Sequence, residues 1–167
     1  MRAVCGDRTV AEPPPQRSRS TSGLVCGLQN RISVLHHPSS AAVVRRNLTT
    51  DLATELPHYE HRFGPDFADD VAAVATELVG NAVRHARPLP GGVIMVEWRA
   101  YPEGVEIRVT DGGSAHVPAL RQVNPESLDG RGLAIVASLS DRWGFAPNGT
   151  GRSVWAWLGR APSRVAT

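Results

Sequence analysis

The chain has no lysine: all 18 of its Lys-or-Arg positions are arginine. That excludes a phosphate loop of the Gly-Lys-Ser/Thr kind, in which a lysine ammonium reaches the phosphates. Cysteine is scarce as well. Cys5 and Cys26 lie close to the N-terminus, and they lack the spacing of a metal site or a redox pair. A reducing compartment with two incidental thiols is the expectation. No apolar run approaches the roughly 18 residues of a membrane span. The stretch containing Asp7, Arg8, Glu12 and Pro13-Pro14-Pro15 has no signal-peptide core, so a cytoplasmic location is expected. Excess charge is also missing. A formal net charge of +2 gives no electrostatic mandate for a nucleic acid or a membrane surface.

The 167 residues suffice for one domain of ordinary size. Residues 1–29 hold the proline triplet and Arg17-Ser18-Arg19-Ser20-Thr21-Ser22-Gly23, a composition that buries little and reads as disordered or as an arm that orders on a partner. A folded unit over 30–160 and a disordered tail over 161–167 complete the expected organisation.

Ile32, Val34 and Leu35 form a short strand. Ser39 and Ser40 are N-cap residues for a helix from Ala41 to Leu56, which stops before Pro57. Asp66 can cap a second helix reaching Ala86, ended by Arg87-Pro88. Val93–Trp98 and the alternating Val105, Ile107 and Val109 read as a hairpin with one apolar face. Residues 111–128 are irregular and rich in Gly, Ser, Pro and Asn, the composition of a functional lid. A short helix over 130–139 and strands over 142–146 and 153–158 close the unit. The fold class is therefore α+β: a two-layer sandwich, helices on one face of a mixed, mostly antiparallel sheet.

The second helix carries the chemistry. Phe67, Val71, Val74, Ala75, Leu78 and Ala82 make a stripe for burial. Glu77, Asn81 and His85, spaced i, i+4, i+8, make a second line beside it. A carboxylate there can take a proton. A carboxamide oxygen suits Mg²⁺, which accepts few protein ligands when phosphates and waters supply the rest. An imidazole can donate to a phosphate. The plainer reading is a solvated face with His85 capping the helix end.

Glycines follow at two turns. Asp111-Gly112-Gly113 ends a strand; an Asp there can accept from an exocyclic amine while glycine admits a flat base, or the segment is an ordinary turn. Gly130-Arg131-Gly132-Leu133 opens a helix, whose free N–H groups suit phosphate oxygens, with Arg131 adding a charge-assisted contact; otherwise it is a glycine cap. Ser153, after Gly149-Thr150-Gly151, is placed to support Asp111 from the neighbouring strand, or is a plain strand serine. Trp98, Trp155 and Trp157 read as face packing.

In order along the chain, Glu77-x-x-x-Asn81-Ala82-x-x-His85, Asp111-x-Gly113, Gly130-x-Gly132-Leu133 and Gly151-x-Ser153 resemble the asparagine and glycine boxes of the GHKL ATPase superfamily. That superfamily includes histidine-kinase ATP domains, type II topoisomerases and heat-shock chaperones. Within it the chain looks most like the anti-sigma-factor serine kinases and their stand-alone relatives in high-GC bacteria. The run Glu77-Leu78-Val79-x-Asn81-Ala82-Val83-x-His85-Ala86 and the passage from Gly130 to Asp141-Arg142-Trp143-Gly144 carry that likeness. The resemblance implies a Bergerat-type fold with ATP and Mg²⁺ as ligands. It implies Glu77 as general base and Asn81 as the metal ligand. Asp111 would bind the adenine amine, with Gly113 beside it, and Gly130, Arg131, Gly132 and Leu133 would bind the phosphates.

The implied activity is an ATP-dependent protein-serine kinase acting on an anti-anti-sigma (STAS-type) partner. The implied partners also include a sigma factor and a second copy of the chain. The alternative is a non-catalytic ATP-binding module that sequesters a sigma factor or another regulator. Ala115 stands where the family often has a glycine. Close backbone approach is lost there, and a nucleotide affinity of about micromolar or weaker is expected.

Overall fold

The computed structural model describes residues 28–55, 63–114, 131–149 and 151–159 of the chain. The expected disorder over 1–27 and 161–167, the irregular stretch from Ala115 and Gly130 lie outside them.

Strand β1 (Leu28–Leu35) begins two residues before the expected start of the folded unit and leads into helix α1 (Ser40–Glu55). The Ser40 hydroxyl does not cap the helix; it donates back to the Leu35 carbonyl at 2.6 Å and fixes the corner. Val44, Leu48 and Leu52 recur every four residues and are fully buried, so α1 offers one narrow apolar seam. Helix α2 (Phe67–His85) matches the expected span to within a residue. Its Asp66 makes no side-chain cap bond. The helix start is held instead by the stacked rings of Phe63 and Phe67, with centroids 4.1 Å apart.

Strands β2 (Val93–Tyr101) and β3 (Gly104–Asp111) form the hairpin. Helix α3 (Arg131–Leu139) precedes β4 (Arg142–Asn148) and β5 (Gly151–Gly159). The sheet order is β1-β2-β3-β5-β4, and every neighbouring pair is antiparallel.

Register decides which side chains meet the helices. Val109 is paired with Val96 on one side and Val154 on the other, and Ile107 with Trp98 and Ala156. These make the inner face, and with Val71, Val74, Leu78 and Val79 of α2 they form the core. The Trp98 indole N–H donates to Asp51 of α1 at 2.9 Å, and the Asn30 amide donates to the same oxygen at 2.9 Å. Helix α2 packs against α1 on one side and α3 on the other, above β3 and β5.

The hairpin has its apolar side chains on the inner face, but it is not buried on that face alone. Strand β3 is central, so its outward residues Glu106 and Thr110 are buried too. Glu106 survives there by pairing with Arg108 at 2.8 Å.

Candidate functional site

Glu77 and Asn81 project from α2 toward the first turn of α3. A methyl group on Gly132 would come within 2.6 Å of a Glu77 carboxylate oxygen and 3.1 Å of Asn81 Oδ1. A side chain there would have to push the Glu77 carboxylate aside, so with glycine α3 begins on top of the carboxylate and the carboxamide. The first N–H groups of any helix lack intrahelical partners and carry partial positive charge. In α3 those of Gly132 and Leu133 open beside Glu77 and Asn81. Leu133 anchors the turn, its half-buried side chain packed on the core. The Arg131 side chain falls outside the described residues.

The Asn81 amide nitrogen is buried and finds no partner among the described residues. A buried donor without a partner is costly, and this nitrogen lies 3.4 Å from where a Gly132 Cβ would stand. Asn81 Oδ1 accepts only a long contact from the Arg84 guanidinium, 3.3 Å. The same guanidinium nitrogen lies 3.8 Å from a Glu77 carboxylate oxygen.

A second wall stands at the far end of α2. Asp111, at the inner-face end of β3, is 2 % exposed. One of its oxygens accepts the Gly113 N–H at 2.7 Å. Burial pushes its carboxyl above the usual carboxylate range, against the lowering effect of that N–H and of the charges of Arg152 and His36. Gly113 takes φ +78°, a left-handed conformation. Gly112 lies so close to the Pro88 carbonyl that any side chain would collide with it. Two backbone bonds lock this turn to the segment after α2: Arg87 N–H to Gly113 O at 2.9 Å and Gly112 N–H to Arg87 O at 2.8 Å.

Two sequence expectations find other surroundings. Ser153 is paired in register with Thr110, while Arg152 is the partner of Asp111. Opposed residues share a face and successive ones alternate. Ser153 is therefore on the outer face, bonded to the Thr110 hydroxyl at 2.7 Å and to Asn148 at 3.1 Å, and gives Asp111 no support. The Gly113 N–H supplies it instead. His85 is exposed at the helix end. An i, i+4, i+8 line drifts about 40° per step around the helix, so His85 has rotated about 80° from Glu77.

The same arithmetic identifies a residue that the sequence reading passed over. Position i+7 returns to within about 20° of the start, and Arg84 occupies it. His36 was also missed: its ring nitrogen bonds the Ala82 and Ala86 carbonyls at 3.2 and 3.0 Å, capping α2. A histidine just before Pro38 carries no sequence signal for that role.

Among the described residues no group of three or more His, Cys, Asp or Glu side chains converges to hold a metal ion. What Asn81 offers is a neutral oxygen and a free buried N–H, which fits a cation brought in with phosphates, not one caged by protein. No helix among the described residues is long and apolar enough to cross a membrane.

The family model of the histidine kinase-like ATPase domain matches residues 39–157. No curated protein matches the chain at a significant level. Among solved structures, the chain is similar to one of the RsbU and RsbW domains of Rv1364c from Mycobacterium tuberculosis. The identity is 21%, the TM-score is 0.57, and 84% of this chain is covered. The match spans 35% of that protein's chain, so the likeness is one of fold over about a third of its length.

Proposed function

Because this chain belongs to the histidine kinase-like ATPase domain family, and ATP binding comes with that family, we propose that it is a regulatory protein-serine kinase of the anti-sigma-factor type. In this reading the purine lies against the Gly112–Gly113 turn, its exocyclic amine donating to Asp111. The triphosphate runs along α2 to the start of α3, where Gly130, Arg131, Gly132 and Leu133 offer backbone N–H groups and one guanidinium. Asn81 would hold Mg²⁺ through Oδ1 and donate from its unpartnered amide to a phosphate oxygen. Magnesium held there would supply neutralisation of charge on the phosphate oxygens.

Glu77 accepts the proton of a serine hydroxyl on the partner. That oxygen bonds to the γ-phosphorus while the bond to the β–γ bridging oxygen breaks, and ADP leaves. The substrate is a serine on an anti-anti-sigma protein of the STAS type, and a sigma factor is the second partner. The fold shared with a protein carrying an RsbW domain agrees with this reading.

The observation that carries it is the approach of the Gly132 backbone to Glu77 and Asn81 together. It brings a carboxylate, a carboxamide and helix-terminal N–H groups to one point, which supports the roles of base and metal ligand given to them here. The test is transfer of label from γ-labelled ATP to a serine-bearing partner. Wild type should transfer, Glu77→Gln should bind ATP but lose transfer, and Asn81→Ala should lose magnesium-dependent binding. Binding without transfer by wild type to any cognate partner would leave ATP as a regulatory ligand of a sequestering module. Absence of binding would end the nucleotide reading.

A further inference from the structure

Arg84 has no part in the functional reading above, yet its side chain is placed with care. It does not extend into solvent from the last turn of α2. It folds back along the helix, over Gly80, and its guanidinium nitrogens lie 3.2 Å from where a Gly80 Cβ would stand. A side chain at position 80 would make the guanidinium give way by a few tenths of an ångström. A glycine in a helix interior costs stability relative to alanine, and what occupies the room that Gly80 leaves is the Arg84 guanidinium.

That guanidinium rests 3.3 Å from Asn81 Oδ1 and 3.8 Å from a Glu77 oxygen. Neither contact is strong. Both distances exceed those of a good charge-assisted bond, about 2.7–2.9 Å, and the side chain is 52% exposed. The guanidinium is thus beside the two proposed phosphate-end residues without being committed to either. Arginine carries five donors in a planar fork that matches phosphate geometry. His85, the phosphate donor expected here from the sequence, lies about 80° further round the helix from Glu77.

We infer that Arg84 is the residue that reads the terminal phosphate: on nucleotide binding its guanidinium leaves Glu77 and Asn81 and engages the γ-phosphate oxygens. The exchange frees the Glu77 carboxylate for its proton and Asn81 Oδ1 for the cation. It ties both events to a triphosphate and withholds them from a diphosphate, which ends one phosphoryl group short. Arg84 is thereby a specificity-determining residue, and the inference rests on the nucleotide reading of the site.

The test is calorimetric titration of the full chain with Mg-ATP and Mg-ADP, on wild type, Arg84→Gln and Arg84→Lys. Arg84→Gln should weaken ATP by about tenfold or more, the worth of one charge-assisted contact, and leave ADP within about twofold. Arg84→Lys, which keeps the charge without the fork, should recover part of the loss. Gly80→Ala, which displaces the guanidinium while retaining it, should fall between wild type and Arg84→Gln. Equal losses for the two nucleotides, or no loss for either, would overturn the assignment and leave the ATP reading standing. Wild type that binds neither nucleotide would remove both.

Discussion

At Asp111 burial opposes ionisation, and the Gly113 N–H and the charges of Arg152 and His36 only partly compensate, so the folded-state pKa lies above the ordinary 3.8. Between the unfolded and folded values the native state holds the extra proton. Stability therefore falls as pH rises through that window and stays lowered above it. Asp111→Asn keeps an oxygen for the Gly113 N–H and sheds the buried charge. It should melt above wild type near neutral pH, with the difference closing toward the acid side of the carboxylate range, while ATP binding weakens. Melting temperatures across pH check this, and an Asn variant that melts lower at neutral pH would contradict it. The sequence located Asp111 through its turn chemistry alone. It left Ser153 open between a supporter of Asp111 and a plain strand serine, because that choice depends on a strand register set by distant residues, and the register makes Gly113 the supporter.

Helix α2 shows how far periodicity reaches. Its start, end and buried stripe were legible because 19 residues sample the 3.6-residue period several times over. The four-residue spacing of Glu77, Asn81 and His85 makes a line that drifts around the helix and carries its third member off the seam, while the seventh residue after Glu77 returns to it. The Asp66 cap was read from residue type, and the Phe63–Phe67 stack took its place, since aromatic contacts leave little local signal. The helix interior yields its own prediction. Gly80→Ala should raise the unfolding free energy by about 0.5–1 kcal/mol, through lower backbone entropy in the unfolded chain. The Arg84 guanidinium is exposed enough to yield the few tenths of an ångström required. Denaturant midpoints at unchanged slope would measure the gain, and a loss would mean that the guanidinium cannot move aside.

Across the whole molecule, one carboxylate fastens the first helix to the sheet. Asp51 accepts both the Trp98 indole N–H and the Asn30 amide, linking α1 to β2 and β1. Asp51→Ala leaves two part-buried donors unpaired and should cost about 2–3 kcal/mol, readable as a lowered denaturant midpoint. A change below about 0.5 kcal/mol would show that water replaces the carboxylate. Class and layer arrangement were legible from element order, and the strand order was not, because nothing local states that β5 inserts between β3 and β4. The stitching of Arg87 to Gly112 and Gly113, with His36 clasping the end of α2, has a consequence for selectivity. A wall built from backbone bonds of the folded domain has no slack with which to remodel itself around a foreign heterocycle. Preference for adenine over guanine should therefore be the same factor for the mono-, di- and triphosphates, as competition titrations with all six would reveal. A preference that widens with each added phosphate would mean that the polyanion shapes the pocket its own base then enters.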